Sequence, residues 1–466
     1  MVMSMLRDHQ ERAVEFLLNK GSGAIFYEIG TGKTFLTLSY FQERIKTEKL
    51  RLIVICPVSL IEAAWGEDIK KFTNLTYQNL HDDFSISEKY DVYILNYESL
   101  FNKRNFQRLS TFLSHYPCMG VLDESARLKN HKSKTAKNCL ALRDRFKYRV
   151  ILTGMPAPNI ETEYYAQMEF VAPGIFGHSF YRFGHSFYRF RNTFFHLERG
   201  GQMMIQQGTF MTRSQAKEIF SKGWKYAITP QNRTRLMNII NPYCIMAKKK
   251  DCLDLPEEID EMRYVELPSE HWAQYREMKR ELVLEIKNQI ITAPVALTKL
   301  QKLREITSGF IYNDKGEAIE LSSSPKMTEL KEILEQSGGQ AIIWCQFKWE
   351  IETIQKEIGG VTLYSGTKDR EASINDFISS KAKYLIAHPK SAAHGLTFIN
   401  CSVQVFFSLD FSLEGYVQAR GRTHRLGQKN SCVYIHILAK DTIDEYIFEV
   451  LSKKTDVQEA VEKLLK

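Results

Sequence analysis

The chain has 466 residues, of which 44% are hydrophobic and 25% are charged, a composition typical of a soluble globular protein with two or three domains. No apolar run reaches the roughly 18 residues of a membrane span, and charged residues interrupt the N-terminal segment early, so we expect a cytoplasmic protein (nucleoid-associated, or in the host cytoplasm if viral) rather than a membrane or secreted one. The net charge of +8 permits a polyanionic partner without requiring one.

Short apolar runs alternate with helical stretches along the first third of the chain. The runs are rich in β-branched residues and are followed by polar or turn residues, which predicts buried strands. They cover residues 24–27, 52–56, 92–95, 120–122 and 149–152, and amphipathic helices such as 60–72 fit between them. This alternation predicts a doubly wound, parallel sheet.

The middle of the chain has a different pattern, largely helical from 161 to about 310, with a polar stretch at 312–325 that we interpret as a surface connection. Strand–helix alternation then resumes, with strands predicted at 341–345, 361–364, 384–387, 404–408 and 433–438. The predicted fold class is α/β, with two parallel-sheet lobes and helical insertions. The predicted boundaries are 1–160 for the first lobe, 161–255 for its helical insertion, 256–325 for a second helical insertion and the connection, 326–440 for the second lobe and 441–466 for a C-terminal helix.

An internal duplication stands out in the first insertion, because residues 177–183 recur unchanged as 184–190. Two tandem copies are too few for a solenoid. We favour a duplication tolerated in a surface insertion, since tolerated insertions concentrate at exposed sites. The alternative is a basic, aromatic surface that contacts nucleic acid.

A phosphate-binding loop is predicted where the first strand ends, in the sequence EIGTGKT at 28–34. Its glycines let the backbone curl so that N–H groups face phosphate oxygens, and the helix that follows presents its positive end to the same anion. Lys33 would reach the β and γ phosphates, and the hydroxyl of Thr34 would bind Mg²⁺. Tyr27 occupies the place of the first glycine of the general pattern. The predicted ATP-binding residues of the loop are Gly30, Thr31, Gly32, Lys33 and Thr34.

A second site is predicted where the apolar strand at 120–122 ends in Asp123 and Glu124. A carboxylate at a strand end beside the phosphate loop can hold Mg²⁺, and the next carboxylate can polarise the attacking water. Alone, such a pair is usually a solvated turn. Together with the loop it indicates hydrolysis of a nucleoside triphosphate.

These segments occur in the order of one family's motifs. The chain resembles the Snf-type (Swi/Snf-related) translocase ATPases of helicase superfamily two, as a compact motor without accessory domains. The most specific match is QARGRTHRLGQ at 418–428. The other matching segments are LRDHQ at 6–10, ICPVSL at 55–60 with Trp65 downstream, DESARLKN at 123–130, LTGMPAPN at 152–159, IWCQF at 343–347, YSG at 364–366 and KSAAHGL at 390–396.

The chain departs from the family pattern at three places. Ala126 stands where the family often has histidine, and Tyr27 replaces the usual acidic residue before Glu28. Ala392 and Ala393 occupy positions often held by glycine. None of these changes removes a group that would touch phosphate or metal.

The resemblance implies two RecA-like lobes that close on ATP and Mg²⁺. Gln10, with Arg7 nearby, would read the adenine ring. Asp123 would hold Mg²⁺ together with Thr34, and Glu124 would position the attacking water. The implied enzyme is a DNA-dependent ATPase, of a size that suits a bacterium or a phage.

The second lobe would complete the ATP site. Arg422 and Arg425 would stabilise charge on the transferring phosphoryl group as arginine fingers. Gly395, in the fifth motif, is a further ATP-binding candidate.

The resemblance also implies a nucleic-acid partner, double-stranded DNA, held across both lobes by a monomeric motor. Hydroxyls and amides at helix starts suit phosphates, although each such residue could instead be an ordinary helix cap. The candidate contacts are Ser59, Tyr97, Gln346, Ser365 and Lys390.

Two other functions stay open at this point. The first is a helicase that separates strands of DNA or RNA, and the second is a nucleotide-gated clamp with weak turnover. The helical insertions and the segment 418–428 favour the duplex-tracking enzyme over the helicase. Ala126 is the one mild support for the clamp.

Overall fold

The computed structural model describes residues 6–158, 160–177, 184–199, 202–204, 225–287, 293–322, 324–392 and 396–453. The chain divides into two units, Met1–Leu253 and Asp254–Lys466, which we name lobe one and lobe two. Each lobe contains a parallel sheet whose central strands are buried.

The main sheet of lobe one has seven parallel strands among the described residues, in the order β10-β1-β6-β5-β2-β4-β3. Its central strands are buried on both faces, as expected when helices cover both sides. A small antiparallel sheet follows, in the order β8-β7-β9. The strands are β1 (Gly23–Tyr27), β2 (Arg51–Cys56), β3 (Tyr77–Asn79), β4 (Val92–Asn96), β5 (Cys118–Asp123), β6 (Tyr148–Leu152), β7 (Phe195–Arg199), β8 (Gln202–Met204), β9 (Lys225–Ile228) and β10 (Cys244–Ala247).

The helices of lobe one connect these strands. The α-helices are Asp8–Lys20, Lys33–Ile45, Val58–Leu60, Glu67–Phe72, Lys103–His115, Lys134–Leu142, Tyr164–Val171, Gly184–Phe194, Pro230–Ile240 and Lys249–Cys252. The predicted helix 60–72 is interrupted, because Ile61–Gly66 forms a π-helical turn between two short α-helices. Such turns are often found at functional sites.

The sheet of lobe two has six parallel strands in the described part of the chain, in the order β11-β18-β17-β14-β16-β15. A short hairpin, β12-β13, stands apart from it. The strands are β11 (Glu258–Val265), β12 (Phe310–Tyr312), β13 (Ala318–Glu320), β14 (Ala341–Trp344), β15 (Val361–Leu363), β16 (Tyr384–Ala387), β17 (Val403–Phe406) and β18 (Cys432–Ala439). The helices are Ser269–Lys287, Ala293–Ser308, Pro325–Ser337, Lys348–Ile358, Arg370–Ile378, Leu413–Arg420 and Ile443–Lys453.

The ten predicted strands are confirmed, with ends that differ by a few residues, and so is the α/β class with two parallel-sheet lobes. The insertions are less helical than predicted. The segment 161–255 contributes β10 to the main sheet of lobe one, and 256–325 contributes β11 to the sheet of lobe two. β11 was missed because four of its eight residues are charged and it is a largely exposed edge strand, so no apolar run marks it.

The second copy of the duplicated sequence is part of the core of lobe one. It begins the helix Gly184–Phe194, in which Phe190 is fully buried and packs against the rings of Tyr165 and Phe176. The interpretation as a surface insertion is therefore wrong for this copy. In the first copy, residues 178–183 lie outside the described residues.

Deleting either copy of the repeat gives the same chain, because the copies are identical. We expect the deletion to keep the ATPase activity implied by the resemblance within a few-fold of the parent, since one copy remains to supply the buried ring. Phe190→Ala keeps the chain length but empties that place in the core, and should lower the free energy of unfolding by about 3–5 kcal/mol. Urea unfolding measures the free energy of unfolding of both variants. A deletion as destabilising as Phe190→Ala would contradict the claim that the remaining copy supplies the buried ring.

Candidate functional site

The loop after β1 has the backbone that a phosphate-binding loop needs. Gly30 and Gly32 have φ values of 88° and 77°, in the left-handed region that favours glycine. A Cβ atom on Gly32 would also clash with Nε2 of Gln10. Only glycine therefore fits at residue 32 without displacing a neighbour.

Lys33 and Thr34 begin the helix that follows the loop. The ammonium group of Lys33 donates to the carbonyl oxygens of Tyr27 (2.9 Å) and Glu28 (3.3 Å), so it lies inside the curl of the loop. Thr31 is buried, and its hydroxyl donates to the carbonyl oxygen of Glu28 at 2.8 Å. Thr34 is half-buried in the first turn of the helix. The loop thus presents a cation, a hydroxyl and a helix N-terminus at one end of β1, which suits phosphates.

The N-terminal helix packs on this loop through Gln10 and His9. The amide of Gln10 donates to the carbonyl oxygens of Thr31 (3.2 Å) and Gly32 (3.4 Å), and a ring nitrogen of His9 lies 3.0 Å from the same Thr31 oxygen. The backbone N–H of the exposed Arg7 donates to Gln10 Oε1 at 3.0 Å. Gln10 therefore lies at the phosphate loop, and its contact with adenine stays a prediction.

Asp123 ends β5 and is only 5% exposed. Its Oδ2 atom accepts a hydrogen bond of 2.9 Å from the indole N–H of Trp65, and its Oδ1 atom accepts one of 2.9 Å from the backbone N–H of Glu124. Burial raises the pKa of Asp123, while the bond from Trp65, the charge of Lys33 and the N–H of Glu124 lower it. Burial is the largest of these effects, so the pKa of Asp123 is raised above its usual value.

The residues around Asp123 fit a magnesium ion. Each carboxylate oxygen has about two acceptor positions, so each keeps one after its N–H bond is made. The charge of Lys33, from the phosphate loop that contains Thr34, acts on Asp123 and lowers its pKa. Carboxylate and hydroxyl oxygens are ligands that Mg²⁺ accepts together with phosphate oxygens.

Glu124 has an unusual backbone. Its φ and ψ are both 52°, in the left-handed region, which costs a non-glycine residue on the order of 1–3 kcal/mol. This conformation turns the chain sharply at the end of β5. Strain of this kind persists where the surroundings impose it, and here both neighbours of Glu124 are held by buried hydrogen bonds.

The other side of this turn is held by a residue that sequence reasoning missed. The hydroxyl of Ser125 donates to Gln167 Oε1 at 2.8 Å, and both side chains are fully buried. The amide nitrogen of Gln167 donates in turn to the carbonyl oxygens of Glu163 (3.0 Å) and Pro156 (2.5 Å). Pro156 lies in the predicted motif 152–159, so Gln167 connects that motif to the turn at Glu124.

Arg422 and Arg425 are both held by groups of lobe two. The guanidinium of Arg422 donates to the carbonyl oxygens of Gln418 and Leu396, each at 3.0 Å. That of Arg425 donates to the carbonyl oxygen of Gly421 (2.6 Å) and to the hydroxyl of Thr397 (2.8 Å). Their positions are therefore fixed relative to the helix Leu413–Arg420. The structure does not describe Gly395.

The segment that contains these arginines is tied to β11. Arg420 donates to both carboxylate oxygens of Asp260, at 2.6 and 3.1 Å, and a ring nitrogen of His424 lies 2.8 Å from the carbonyl oxygen of Pro256. A bidentate pair of this kind fixes orientation as well as distance. Asp260 could not be found from the sequence, because β11 was predicted to be part of a helical insertion.

The candidate nucleic-acid contacts differ in exposure. Ser59, Ser365 and Lys390 are exposed, and Gln346 is half-buried with its backbone N–H bonded to Glu350 Oε2 (3.0 Å) and Ser408 Oγ (2.9 Å). Within the described part of the chain, no helix is both long and apolar enough to cross a membrane.

Tyr97 is contradicted as a direct contact with DNA. Its side chain is 1% exposed, and its hydroxyl donates to the carbonyl oxygen of Asp123 at 2.8 Å. The ring therefore faces the interior of lobe one. The sequence could not distinguish this from exposure, because the residue follows a strand in either case.

Gly32→Ala should weaken nucleotide binding at least tenfold, because the new Cβ atom displaces Gln10 and strains the loop. Gly338→Ala is a matched control: Gly338 has φ of 63° and a Cβ atom there would meet nothing within 4 Å. Both substitutions carry a left-handed backbone penalty of about 1–2 kcal/mol, but only one lies at the loop. Titration with a fluorescent ATP analogue measures the difference, and equal affinities would disprove the assignment of the loop.

Comparison of the sequence with known proteins identifies the family of this chain. Residues 9–309 match the model of the SNF2-related domain, and residues 325–427 match the helicase conserved C-terminal domain. A putative protein of Acyrthosiphon pisum secondary endosymbiont phage 1 is 25% identical over 99% of this chain and 98% of its own length. An uncharacterized ATP-dependent helicase of Mycoplasma genitalium is 24% identical over 99% of this chain, but this chain spans only 42% of it.

Among solved structures, the SWI2/SNF2 ATPase core of Sulfolobus solfataricus in complex with double-stranded DNA is 23% identical, with a TM-score of 0.43, over 98% of this chain and 96% of the other. The family assignment rests on the sequence match, since the SNF2-related domain alone covers well over half of the chain. The chain belongs to the SNF2-related family, and it is a helicase-type ATPase built on two α/β lobes, each with a parallel sheet.

Proposed function

We propose that this ATPase moves along double-stranded DNA as a single copy, uses Mg²⁺ for ATP hydrolysis, and does not separate the strands. The observation that carries the proposal is the SNF2-related match over residues 9–309, joined to the sixth motif at 418–428. The net charge of +8 is compatible with a polyanionic track.

Hydrolysis would begin at the phosphate loop of lobe one. Lys33 would pair with the β and γ phosphates, and Thr34 and Asp123 would hold Mg²⁺, which neutralises phosphate charge. Glu124 would orient the attacking water. The buried bonds to Asp123 and Ser125 support this role, since they hold the residues on both sides of Glu124 in place.

Arg422 and Arg425 would supply positive charge to the transferring phosphoryl group. Both guanidinium groups are held by carbonyl or hydroxyl oxygens of lobe two. Charge that is already in place contributes most when it meets charge that develops in the transition state. Closure of the two lobes on ATP would deliver it.

The DNA would contact exposed groups at the carboxyl ends of strands in both lobes. Ser59 follows β2, Ser365 follows β15 and Lys390 follows β16, and all three are exposed. Hydroxyl and ammonium groups at such positions suit phosphates rather than base edges. We therefore expect little sequence preference and a strong dependence of affinity on salt.

Duplex DNA should stimulate ATP hydrolysis at least as well as single-stranded DNA, and no fully annealed strand should be released. The matched control is Lys33→Ala, which should abolish turnover and bind duplex with nearly the parent affinity, because the lysine serves phosphates of ATP. Phosphate release is measured with duplex, single-stranded, forked and RNA substrates, beside a strand-displacement assay. Efficient release of annealed strands would identify a strand-separating helicase instead, and turnover that ignores every substrate would favour a clamp.

Arg422→Ala and Arg425→Ala should each lower kcat roughly 160- to 5,000-fold, the equivalent of roughly 3–5 kcal/mol, while the KM for ATP changes only a few-fold. An interaction that strengthens in the transition state acts on turnover rather than on affinity. Lys429→Ala removes an exposed cation from the same segment and should behave like the parent. Near-normal turnover in either arginine variant would remove that arginine from the site.

A further inference from the structure

Asp123 is tied to two surface segments of lobe one by buried aromatic side chains. Trp65, which is 0% exposed, donates to its carboxylate, and Tyr97 donates to its backbone carbonyl oxygen. The bonds measure 2.9 and 2.8 Å. Trp65 is separated from Asp123 by 58 residues and Tyr97 by 26, so neither bond is a local feature of the turn.

Each aromatic residue belongs to a short segment that also reaches the surface. Trp65 lies in the π-helical turn Ile61–Gly66, directly after the helix Val58–Leu60, where Val58 and Ser59 are exposed. Tyr97 begins the 3₁₀ turn Tyr97–Phe101, and the second residue of this turn, Glu98, is exposed. One face of each segment is therefore available to a ligand, while the other face ends at Asp123.

A cation from the turn Ser125–Leu128 lies beside the second segment. Arg127 pairs with Glu98 at 2.9 Å, and its guanidinium carbon lies 5.8 Å from the centre of the Tyr97 ring. Arg127 follows Asp123 by four residues in the chain. The exposed groups at this place are thus an ion pair of Glu98 and Arg127, and Arg127, near the buried ring of Tyr97, is the group that would meet phosphates.

We propose that Trp65 and Tyr97 are positioning residues that couple the binding of duplex DNA, on the outer faces of the segments 57–66 and 97–101, to the carboxylate that serves ATP. This inference rests on the proposed function. A displacement of either segment changes the length or angle of its bond to Asp123, and hydrogen bonds weaken steeply as they bend. Because Asp123 is buried, the loss of a hydrogen-bond donor changes the energy of its carboxylate more than it would in water. Close packing around the two rings transmits small shifts rather than absorbing them.

Coupling of this kind is reciprocal, so it can be measured without hydrolysis. The affinity for a fluorescent duplex is determined with and without a non-hydrolysable ATP analogue and Mg²⁺, and the ratio of the two affinities is the coupling factor. In the parent we expect a factor of about 5–150. In Trp65→Phe and Tyr97→Phe, each of which removes one donor and keeps a ring, the factor should fall below about three.

Tyr93→Phe is the matched control. Tyr93 lies on β4, is buried in the same lobe, and donates its hydroxyl to the carbonyl oxygen of Ser87 at 2.7 Å. The variant loses the same kind of bond as Tyr97→Phe but does not touch Asp123, so it should keep the parent coupling factor. Duplex affinity in the absence of analogue should stay within about threefold of the parent in all three variants.

The outcomes separate this inference from the function on which it rests. A parent that shows no coupling and no duplex-stimulated turnover refutes the proposed function, and the inference falls with it. A coupled parent whose Trp65→Phe and Tyr97→Phe forms keep the full factor overturns the inference alone, as does a loss of duplex binding itself in both. If Trp65→Phe unfolds, as shown by its thermal transition, the nearly isosteric Tyr97→Phe decides the question.

Discussion

The burial of Asp123 is the constraint on which the rest of the ATP site depends. A carboxylate that is 5% exposed at the end of a buried strand requires hydrogen-bond donors, because an unpaired buried charge is strongly destabilising. The donors come from the indole of Trp65 and the backbone of Glu124, and the cation of Lys33 lies near. These partners fix where the segment after β2 lies and how the chain turns after β5. The hydrogen bonds that the buried Asp123 requires thus set the geometry around the expected metal.

The catalytic parts of lobe one could be predicted from the sequence because each is local. A β-rich run followed by a glycine-rich loop and a helix specifies a phosphate loop wherever it occurs, and β1 and the helix Lys33–Ile45 appear as expected. The contacts that support those parts are not local. Trp65 meets Asp123 across 58 residues, and Gln167 meets Ser125 across 42, so no pattern within a short window indicates either bond. Tyr97 was misassigned for the same reason, since only the fold shows that its ring faces inward.

Edge strands mark the other limit of prediction. Buried strands such as β4 and β5 have continuous apolar runs, but β10 is short and β11 carries charged residues on an exposed edge. Charged side chains on a sheet edge discourage pairing with other chains, and they remove the apolar signal at the same time. In β11 one of those charges has a second use, because Asp260 pairs with Arg420 at the start of the arginine-bearing segment. β11, which has the weakest strand signal in the sequence, therefore helps to orient the segment that contains Arg422 and Arg425.

The replacement of the family histidine by Ala126 changes how the turn at Glu124 is connected. Alanine has no polar group, and Ala126 is buried, so it cannot link the turn to a neighbouring motif. The residue before it makes such a link, from the hydroxyl of Ser125 through Gln167 to the carbonyl oxygen of Pro156. All three groups are uncharged, so this connection does not depend on protonation as one through histidine would. Because Gln167 also bonds to Glu163, its amide is held at three points and cannot rotate without breaking buried bonds. In this chain the two motifs are thus connected through Ser125 and Gln167, without a side chain at residue 126 that could take part.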